Sequence, residues 1–571
     1  KIKDDYSWKT SGIEFVLKER VGKPEKFIGR KKEMEFLYEW YQFIKSEDSN
    51  SIAFLGRRKI GKTLMMERLY NIVYSEQDGI IPFYYEFSEG KLTAKKFAED
   101  FIVNFYLQVI AYYTRDSKMI KTAVNNSANI NIKKLIDMVK NLDVKSKDII
   151  LEELNIYVDA LKEDEQPYSF ILLATRCPKS FAEKNGEEKV MQIIDEFQYL
   201  NSEIDAGEEK VPSKCYMSTA ESKVAPLLVT GSFMGVLAHD LMKYTPQRFN
   251  IINIGKMEAE ESKVMIKNYG ERYGHSLTEE TIDYIGKMTN YVPGRIINLL
   301  EPNPFKAKIK TVADVDEALY YEVKRGKIKA DWYEYLSLAM DRYNDKNMKL
   351  MTYYLCKNEG EYYYPYQLKE KLNLDLDEEQ IWRELDILHK YDLIDIDRER
   401  YGGIFDRTLK HVLMVNFGHV FNLPVEEFLE YFKGENQLTY LEERIKELEL
   451  SLEEEQELKN KLKKIEGALN HEKGKRYEMT VLIKLIRYVI NKKGGIVAGI
   501  AATDFEFYLN YCLKSGEDID IVIESSDIII AIECKNYSEE NIRKINKKLI
   551  DKFIVNCKKL AQDYPDKELR R

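Results

Sequence analysis

Ser51-Ile52-Ala53-Phe54-Leu55-Gly56-Arg57-Arg58-Lys59-Ile60-Gly61-Lys62-Thr63 is the stretch on which the reading of this chain turns. An apolar run, Ile52–Leu55, leads into Gly56, four residues, then Gly61-Lys62-Thr63, and a helical pattern follows. A G-x-x-x-x-G-K-T segment between a predicted strand and a predicted helix reads as a phosphate-binding loop. Its glycines let the backbone wrap an anion and aim N–H groups inward. Lys62 supplies a point charge for the terminal phosphates. The Thr63 hydroxyl is the expected Mg²⁺ ligand, with the helix N-terminus facing the anion.

The chain around this loop has 571 residues, too many for one core, so three or four domains are expected. Mean hydropathy is −0.46 and no run approaches the roughly 18 apolar residues of a membrane span, so no membrane partner is expected. The opening KIKDDYSWKTSG lacks the apolar segment of a signal peptide. Six cysteines lie scattered without a C-x-x-C pair, which argues against a zinc site and fits a reducing cytoplasm. The net charge of −9 excludes a general polyanion binder and confines any nucleic-acid contact to a local patch.

A second anchor lies downstream. Val190–Glu196, VMQIIDE, reads as a buried strand ending in Asp195-Glu196, at the strand end where ligands sit in doubly wound sheets. Asp195 is the expected water-mediated Mg²⁺ ligand and Glu196 the expected group that polarises the attacking water. Alone such a strand end is weak; paired with the loop it is strong. Upstream, Phe27-Ile28-Gly29-Arg30 precedes an amphipathic helix with Met34, Leu37, Trp40, Tyr41 and Ile44 at helical spacing. Residues 1–26 carry little signal, and 118–165 read as a helical insertion without a legible role.

Taken together, GRRKIGKT, the FIGR box and IIDEFQYL resemble the archaeal-type ATPases, relatives of the AAA+ and STAND NTPases. The resemblance implies an ATP site. Gly29 and Arg30 would belong to its base-binding entry, with Gly56, Gly61, Lys62 and Thr63 on the phosphates. Ser232, after the apolar run Leu227–Gly231, would sit near the γ-phosphate. Arg248, in a stretch that matches the family only in part, would sense phosphate or reach toward a neighbouring subunit, which makes a homo-oligomer an expected partner. Arg295, in Val292-Pro293-Gly294-Arg295, would touch the nucleotide from a helical lid. Read without the resemblance, Arg248 is equally a surface arginine and Arg295 a capped helix start.

Residues 336–430 pattern as three helices and a β-wing, a winged helix. Its would-be recognition helix carries Asp377, Glu378, Glu379, Glu384 and Asp386 against Arg383 and Lys390. Phosphate repels such a helix, so an intramolecular or oligomer-facing role is expected rather than DNA binding. Residues 431–470 read as a helical linker, with leucines and isoleucines in two short heptad-like sets.

The C-terminal hundred residues hold another constellation. Asp520 begins one strand, a turn follows at Ser525-Ser526, and Glu533-Cys534-Lys535 ends the next strand thirteen residues after Asp520. Alternate residues of a strand share a face, so Glu533 and Lys535 point together toward Asp520. Asp520 and Glu533 are hard-oxygen candidates for Mg²⁺ or Mn²⁺, and Lys535 for orienting water and offsetting phosphate charge. The pattern resembles the PD-(D/E)XK nucleases, and Glu478 resembles the extra acid of the Mrr-like members. A following helix carries basic residues between Arg543 and Lys559, a candidate track for a DNA backbone.

The expected architecture is α/β. It comprises an N-terminal segment (1–26), a P-loop NTPase core of AAA+/STAND type with a parallel sheet (27–255) and a helical lid (256–335). A winged helix (336–430), a helical linker (431–470) and a restriction-endonuclease-like domain (471–571) follow. The expected function is an ATP-regulated, Mg²⁺- or Mn²⁺-dependent DNA endonuclease, a role that fits defence against foreign DNA. The alternatives are a STAND-like signalling switch, or an AAA+ remodeller whose nuclease-like domain only binds nucleic acid or protein.

Overall fold

The computed structural model describes residue 8 and residues 11–126, 130–163, 165–208, 210–340, 345–404, 406–421, 432–434, 436–437, 439–443, 481–482, 484–486, 496–497, 500–501, 506–533 and 547–570. The chain forms two compact units, Lys1–Asn436 and Gln437–Arg571. Most of the 431–470 segment, together with Glu478 and Lys535, lies outside the described residues.

The first unit is built on a five-stranded parallel sheet. Its strand order is Ile80–Glu86, Lys189–Asp195, Leu227–Gly231, Ile52–Leu55, Asn250–Asn253. The three central strands are mostly apolar because helices cover both faces of a parallel sheet; Ile52–Leu55 and Leu227–Gly231 are buried throughout. The strand before the loop and the strand ending in Asp195 are not neighbours. Leu227–Gly231 lies between them, pairing Ile52 with Leu228 on one side and Ile193 with Leu228 on the other. Residues 230–232 therefore arrive between the loop and the acidic pair.

Helix Lys62–Glu76 follows the loop and is buried on almost every side, from Met65 to Tyr74. One cover is the sheet. The other is the N-terminal segment, in which Asn71 exchanges hydrogen bonds with the backbone of Leu17 at 2.9 Å each way. The insertion forms helices Ser117–Asn126, Ile132–Lys140 and Lys147–Lys162, packed against Ala94–Thr114 and Pro167–Asn185. The region expected to form a lid comprises the helices Ala259–Tyr273, Glu279–Met288, Pro293–Leu300 and Val312–Lys324, and Lys327–Ala339 leads out of it.

Beyond it, Lys346–Lys357, Pro365–Leu372 and Glu378–Lys390 are helices, and Ile394–Asp397 pairs antiparallel with Arg400–Gly403. The turn that follows helix Glu378–Lys390 is docked on the sheet domain. Asp392, held at φ +57°, accepts the N–H groups of Met234 (2.6 Å) and Gly235 (3.2 Å), capping the helix Met234–Tyr244. Trp332 donates its indole N–H to Thr408 at 2.8 Å.

Helix Arg407–Phe417 carries His411, buried against the Phe432 ring at 5.1 Å. Burial drives its pKa well below the ordinary 6.5, helped by Lys410 and Arg407. Below that pH the unfolded chain binds a proton that the folded chain refuses, so this group's contribution to stability falls as pH drops. Wild type is expected to lose about 1.4 kcal/mol per pH unit at this site below pH 6.5. His411→Leu should flatten that slope in denaturant titrations between pH 6.5 and 5; an unchanged slope refutes the assignment.

In the second unit, Glu506–Cys512, Asp518–Glu524 and Ile528–Ile532 form an antiparallel meander, and Glu568–Arg570 adds in parallel. Helix Lys547–Asp563 buries Cys557 and Leu560 against the sheet, in a core with Ile519, Val522 and Ile529. Among the described residues, no helix is long and apolar enough to cross a membrane.

Candidate functional site

Gly61 sits at φ +98°, in the left-handed region where a side chain is strained, and turns the loop into helix Lys62–Glu76. That turn aims the first N–H groups of the helix back into the loop. The Lys62 ammonium is buried and donates to the carbonyls of Gly56 (2.5 Å) and Arg57 (3.1 Å). Burial lowers its pKa to about 8, against the pull of Glu196 and Asp195. The Thr63 hydroxyl donates to Asp195 Oδ2 at 2.6 Å. Asp195 is fully buried, and burial followed by the charge of Glu196 raises it to about 6. A buried carboxylate that accepts from the Thr63 hydroxyl, the Glu196 N–H (2.8 Å) and, at 3.4 Å, the Tyr84 hydroxyl favours a cation beside it.

Glu196 follows at φ +52°. Its Oε1 accepts from Ser232 Oγ at 2.7 Å and its Oε2 from Gln198 Nε2 at 2.5 Å. Ser232 thus lies beside the acidic pair, delivered there by the strand between loop and acid.

A cavity of about 610 Å³ opens over these groups. Its lining combines Gly61, Lys62, Thr63, Glu196 and Ser232 with the apolar Val21, Phe27, Ile28, Met265 and Ile297 and the Tyr269 ring. That size and mixed lining suit a ligand with an anionic tail and a flat apolar head. Hard oxygens at Thr63 and Asp195 fit Mg²⁺, which takes few protein ligands when substrate phosphates supply the rest. Among the described residues, no group of three or more His, Cys, Asp or Glu side chains is arranged to hold a metal by itself.

Several site residues have other placements. Gly29 is packed against Met257 and Glu261 of the lid. Arg30 lines the cavity, but its guanidinium is committed to the carbonyls of Ile60 (3.0 Å) and Gly255 (2.8 Å) and to Glu33 (2.6 Å). It clamps loop to lid. Arg248 is paired with Glu221 at 3.1 Å and is not among the residues lining the cavity. Arg295, expected from the sequence to touch the nucleotide, is not among the residues lining the cavity. It is fully buried, bonded to Asp331 at 2.7 Å and stacked on Trp332 at 4.9 Å, so it ties the lid to helix Lys327–Ala339. It is the neighbouring residues that reach the site: Pro293 and Gly294 line the cavity, and the Gly294 N–H donates to Lys59 O at 2.9 Å.

Other supports join segments far apart in the chain. Tyr335 accepts the Arg58 N–H and donates to Ser232 O, both at 3.0 Å, bridging the loop to the Ser232 strand. Glu334 pairs with Arg58. The buried Arg68 guanidinium is gripped by both Glu19 oxygens (2.5 and 2.9 Å) and by the carbonyls of Trp8 (2.6 Å) and Pro24 (2.8 Å). This fastens residues 13–27, and with them Phe27 and Ile28, over the loop helix. Burial raises the neighbouring Glu67 to about 8, against its contacts to Arg20. The signal that points to this strap is an Arg and a Glu on helix Lys62–Glu76 at positions its apolar neighbours would bury.

In the second unit, the antiparallel register pairs Ile521 with Ile532. Asp520 and Glu533 each lie one residue beyond that last paired position. Exposed Lys547, Lys548, Lys552 and Lys558 lie on the C-terminal helix, while Lys559 pairs with Glu517. Arg543 falls outside the described residues.

No protein-family model matches the chain, and no curated protein matches it. Solved structures similar to it include the Walker-type ATPase of Pyrococcus abyssi, 14% identical, covering 70% of this chain and 99% of that one, TM-score 0.43. The ORC1 protein of Aeropyrum pernix in complex with DNA is 10% identical, covering 73% and 100%, TM-score 0.31. The RuvB Holliday junction branch migration motor of Thermotoga maritima is 12% identical, covering 72% and 100%, TM-score 0.29. What the chain's own geometry establishes is an α/β domain whose phosphate-binding loop and acidic pair meet at the carboxyl ends of a parallel sheet.

Proposed function

We propose that this chain binds and hydrolyses ATP in the cavity over Gly61–Thr63, and that this ATPase controls a metal-dependent endonuclease unit acting on DNA. The observation that carries the ATPase reading is the 2.6 Å contact between Thr63 and Asp195, with Glu196 and Ser232 beside it in the same cavity. The loop amides and Lys62 hold the β- and γ-phosphates; Phe27, Ile28 and Tyr269 receive the base. Thr63 and Asp195 would hold Mg²⁺, which when bound would neutralise charge on the phosphates. Glu196 orients the water in line with the γ-phosphate. The segment 336–430 is read as a winged helix in an intramolecular role. Asp392 and the carbonyl of Lys390 press on the helix that begins at Met234, two residues past Ser232, which supports that role. Arg248 keeps its assignment as a finger only in an oligomer.

The nuclease reading rests on the motif, with Asp520 and Glu533 each one residue beyond the paired Ile521 and Ile532 of a hairpin, and with Glu478 and Lys535 assigned from the motif alone. Asp520 and Glu533 would hold Mg²⁺ or Mn²⁺, and Lys535 would orient water. The basic helix supplies backbone contacts to DNA, and defence against foreign DNA is the role that suits such an output.

Two measurements test these readings. Lys62→Ala should weaken ATP binding by about tenfold to a hundredfold, the loss of a hydrogen bond to a charged group; unchanged binding and hydrolysis refute the ATP site. Plasmid nicking with Mg²⁺ or Mn²⁺ should vanish in Asp520→Ala and respond to ATP in wild type. Nicking that survives Asp520→Ala refutes the nuclease.

A further inference from the structure

Gln198 is a polar residue of IIDEFQYL that the reading above leaves without a task. It does not line the cavity, and it is 5% exposed. Its Nε2 donates to Glu196 Oε2 at 2.5 Å, while Ser232 Oγ donates to Oε1 at 2.7 Å. Each oxygen of the carboxylate therefore has its own donor, arriving from a different segment.

The amide orientation follows from chemistry. A carboxylate only accepts, so the NH₂ end must face Glu196. The other end, Oε1, is then buried without a hydrogen-bond partner. A buried acceptor left unpaired is unfavourable, and it persists here because the NH₂ end is engaged. The fold also clears room for it. A Cβ at Gly231 would come 2.2 Å from Gln198 Oε1, so only glycine lets the amide lie against that strand. The Phe197 N–H donates to Thr230 O at 2.9 Å, which fixes the turn carrying both residues.

We infer that Gln198 is a positioning residue: with Ser232 it forms a two-point clamp that aims the Glu196 carboxylate at the attacking water. This rests on the ATPase reading. A carboxylate held at both oxygens cannot rotate about its terminal bond, so a lone pair stays directed into the cavity. Gln198 itself touches neither nucleotide nor water; its effect passes entirely through Glu196.

Steady-state ATP hydrolysis with Mg²⁺, with nucleotide affinity measured separately, tests this. Gln198→Ala should lower kcat by about tenfold to a hundredfold, the scale of a misplaced catalytic group, with KM and ATP affinity unchanged. Gln198→Asn keeps an amide but shortens its reach by one carbon, and should not restore turnover. Gly231→Ala pushes the amide off its seat and should reproduce the kcat loss. The double variant Gln198→Ala/Gly231→Ala should be no slower than the slower single variant, because both act on one contact. A Gln198→Ala enzyme with wild-type kcat overturns the clamp while leaving the ATPase reading intact. So does a loss that appears in KM and thermal stability as much as in kcat. A wild type whose hydrolysis equals that of Lys62→Ala overturns the ATPase reading, and the clamp with it.

Discussion

Glu196→Gln will abolish turnover and spare binding. ATP hydrolysis is expected to fall by about a thousandfold, within the range for removal of a general base or water-positioning group. ATP affinity should stay within about threefold, a change of roughly 0.7 kcal/mol. The separation follows from where the side chain sits. Glu196 lines the cavity and its carboxylate is bonded to Ser232 and Gln198, whereas the Lys62 contacts to the loop carbonyls and the Thr63–Asp195 hydrogen bond do not pass through that carboxylate. A glutamine is isosteric and still accepts from Ser232. It lacks the charge that polarises water. Single-turnover hydrolysis with nucleotide titration reads both quantities. Retention of more than about a tenth of wild-type turnover would show that another group positions the water, since such a group is worth at least a hundredfold.

The second large effect concerns stability. Glu19→Ala should destabilise the first unit by about 3–5 kcal/mol, the usual result of removing one partner from a buried ion pair. Both side chains are essentially inaccessible, at 0% for Arg68 and 1% for Glu19. The Trp8 and Pro24 carbonyls and the Phe27 ring, 4.5 Å away, would remain around an uncompensated guanidinium. Replacing both partners by apolar residues, Glu19→Leu with Arg68→Met, should recover most of the loss, because the desolvation cost of both charges disappears with them. Chemical denaturation of the first unit's transition is the measurement; a loss below about 1 kcal/mol would mean that water reaches the pair. Because Phe27 and Ile28 line the cavity, Glu19→Ala should also weaken ATP binding.

These two predictions differ in how their residues were found. Glu196 was legible because the strand VMQIID and the acid that ends it are contiguous, as are the glycines, lysine and threonine of the loop. Local backbone needs write local patterns: apolar runs for strands buried on both faces, glycine where φ is positive. The helices Pro365–Leu372 and Glu378–Lys390 were legible for the same reason, since 3.6-residue periodicity and a capping aspartate, Asp377, are local. Glu19 and Arg68 were not. They are 49 positions apart, and residues 1–26 offered no periodicity to interpret.

Arg295 marks the same boundary from the other side. Its Pro-Gly-Arg turn was visible and does open a helix, yet the guanidinium turns toward Asp331 and Trp332, and only Pro293 and Gly294 reach the cavity. A motif specifies a turn; the direction of a long side chain depends on which charges the fold brings near. Asp392 is a sharper case. It caps a helix 158 positions away, a contact that charge counts on its own segment do not foretell.

By itself, then, the sequence of this protein determined the loop, the acidic pair and their order along the chain, because those features satisfy backbone and anion chemistry within a few residues. Only tertiary structure decided which strand separates loop from acid, which segments brace the loop, and which arginines are structural. Those outcomes depend on burial, and burial brings charges together from segments that share no local pattern.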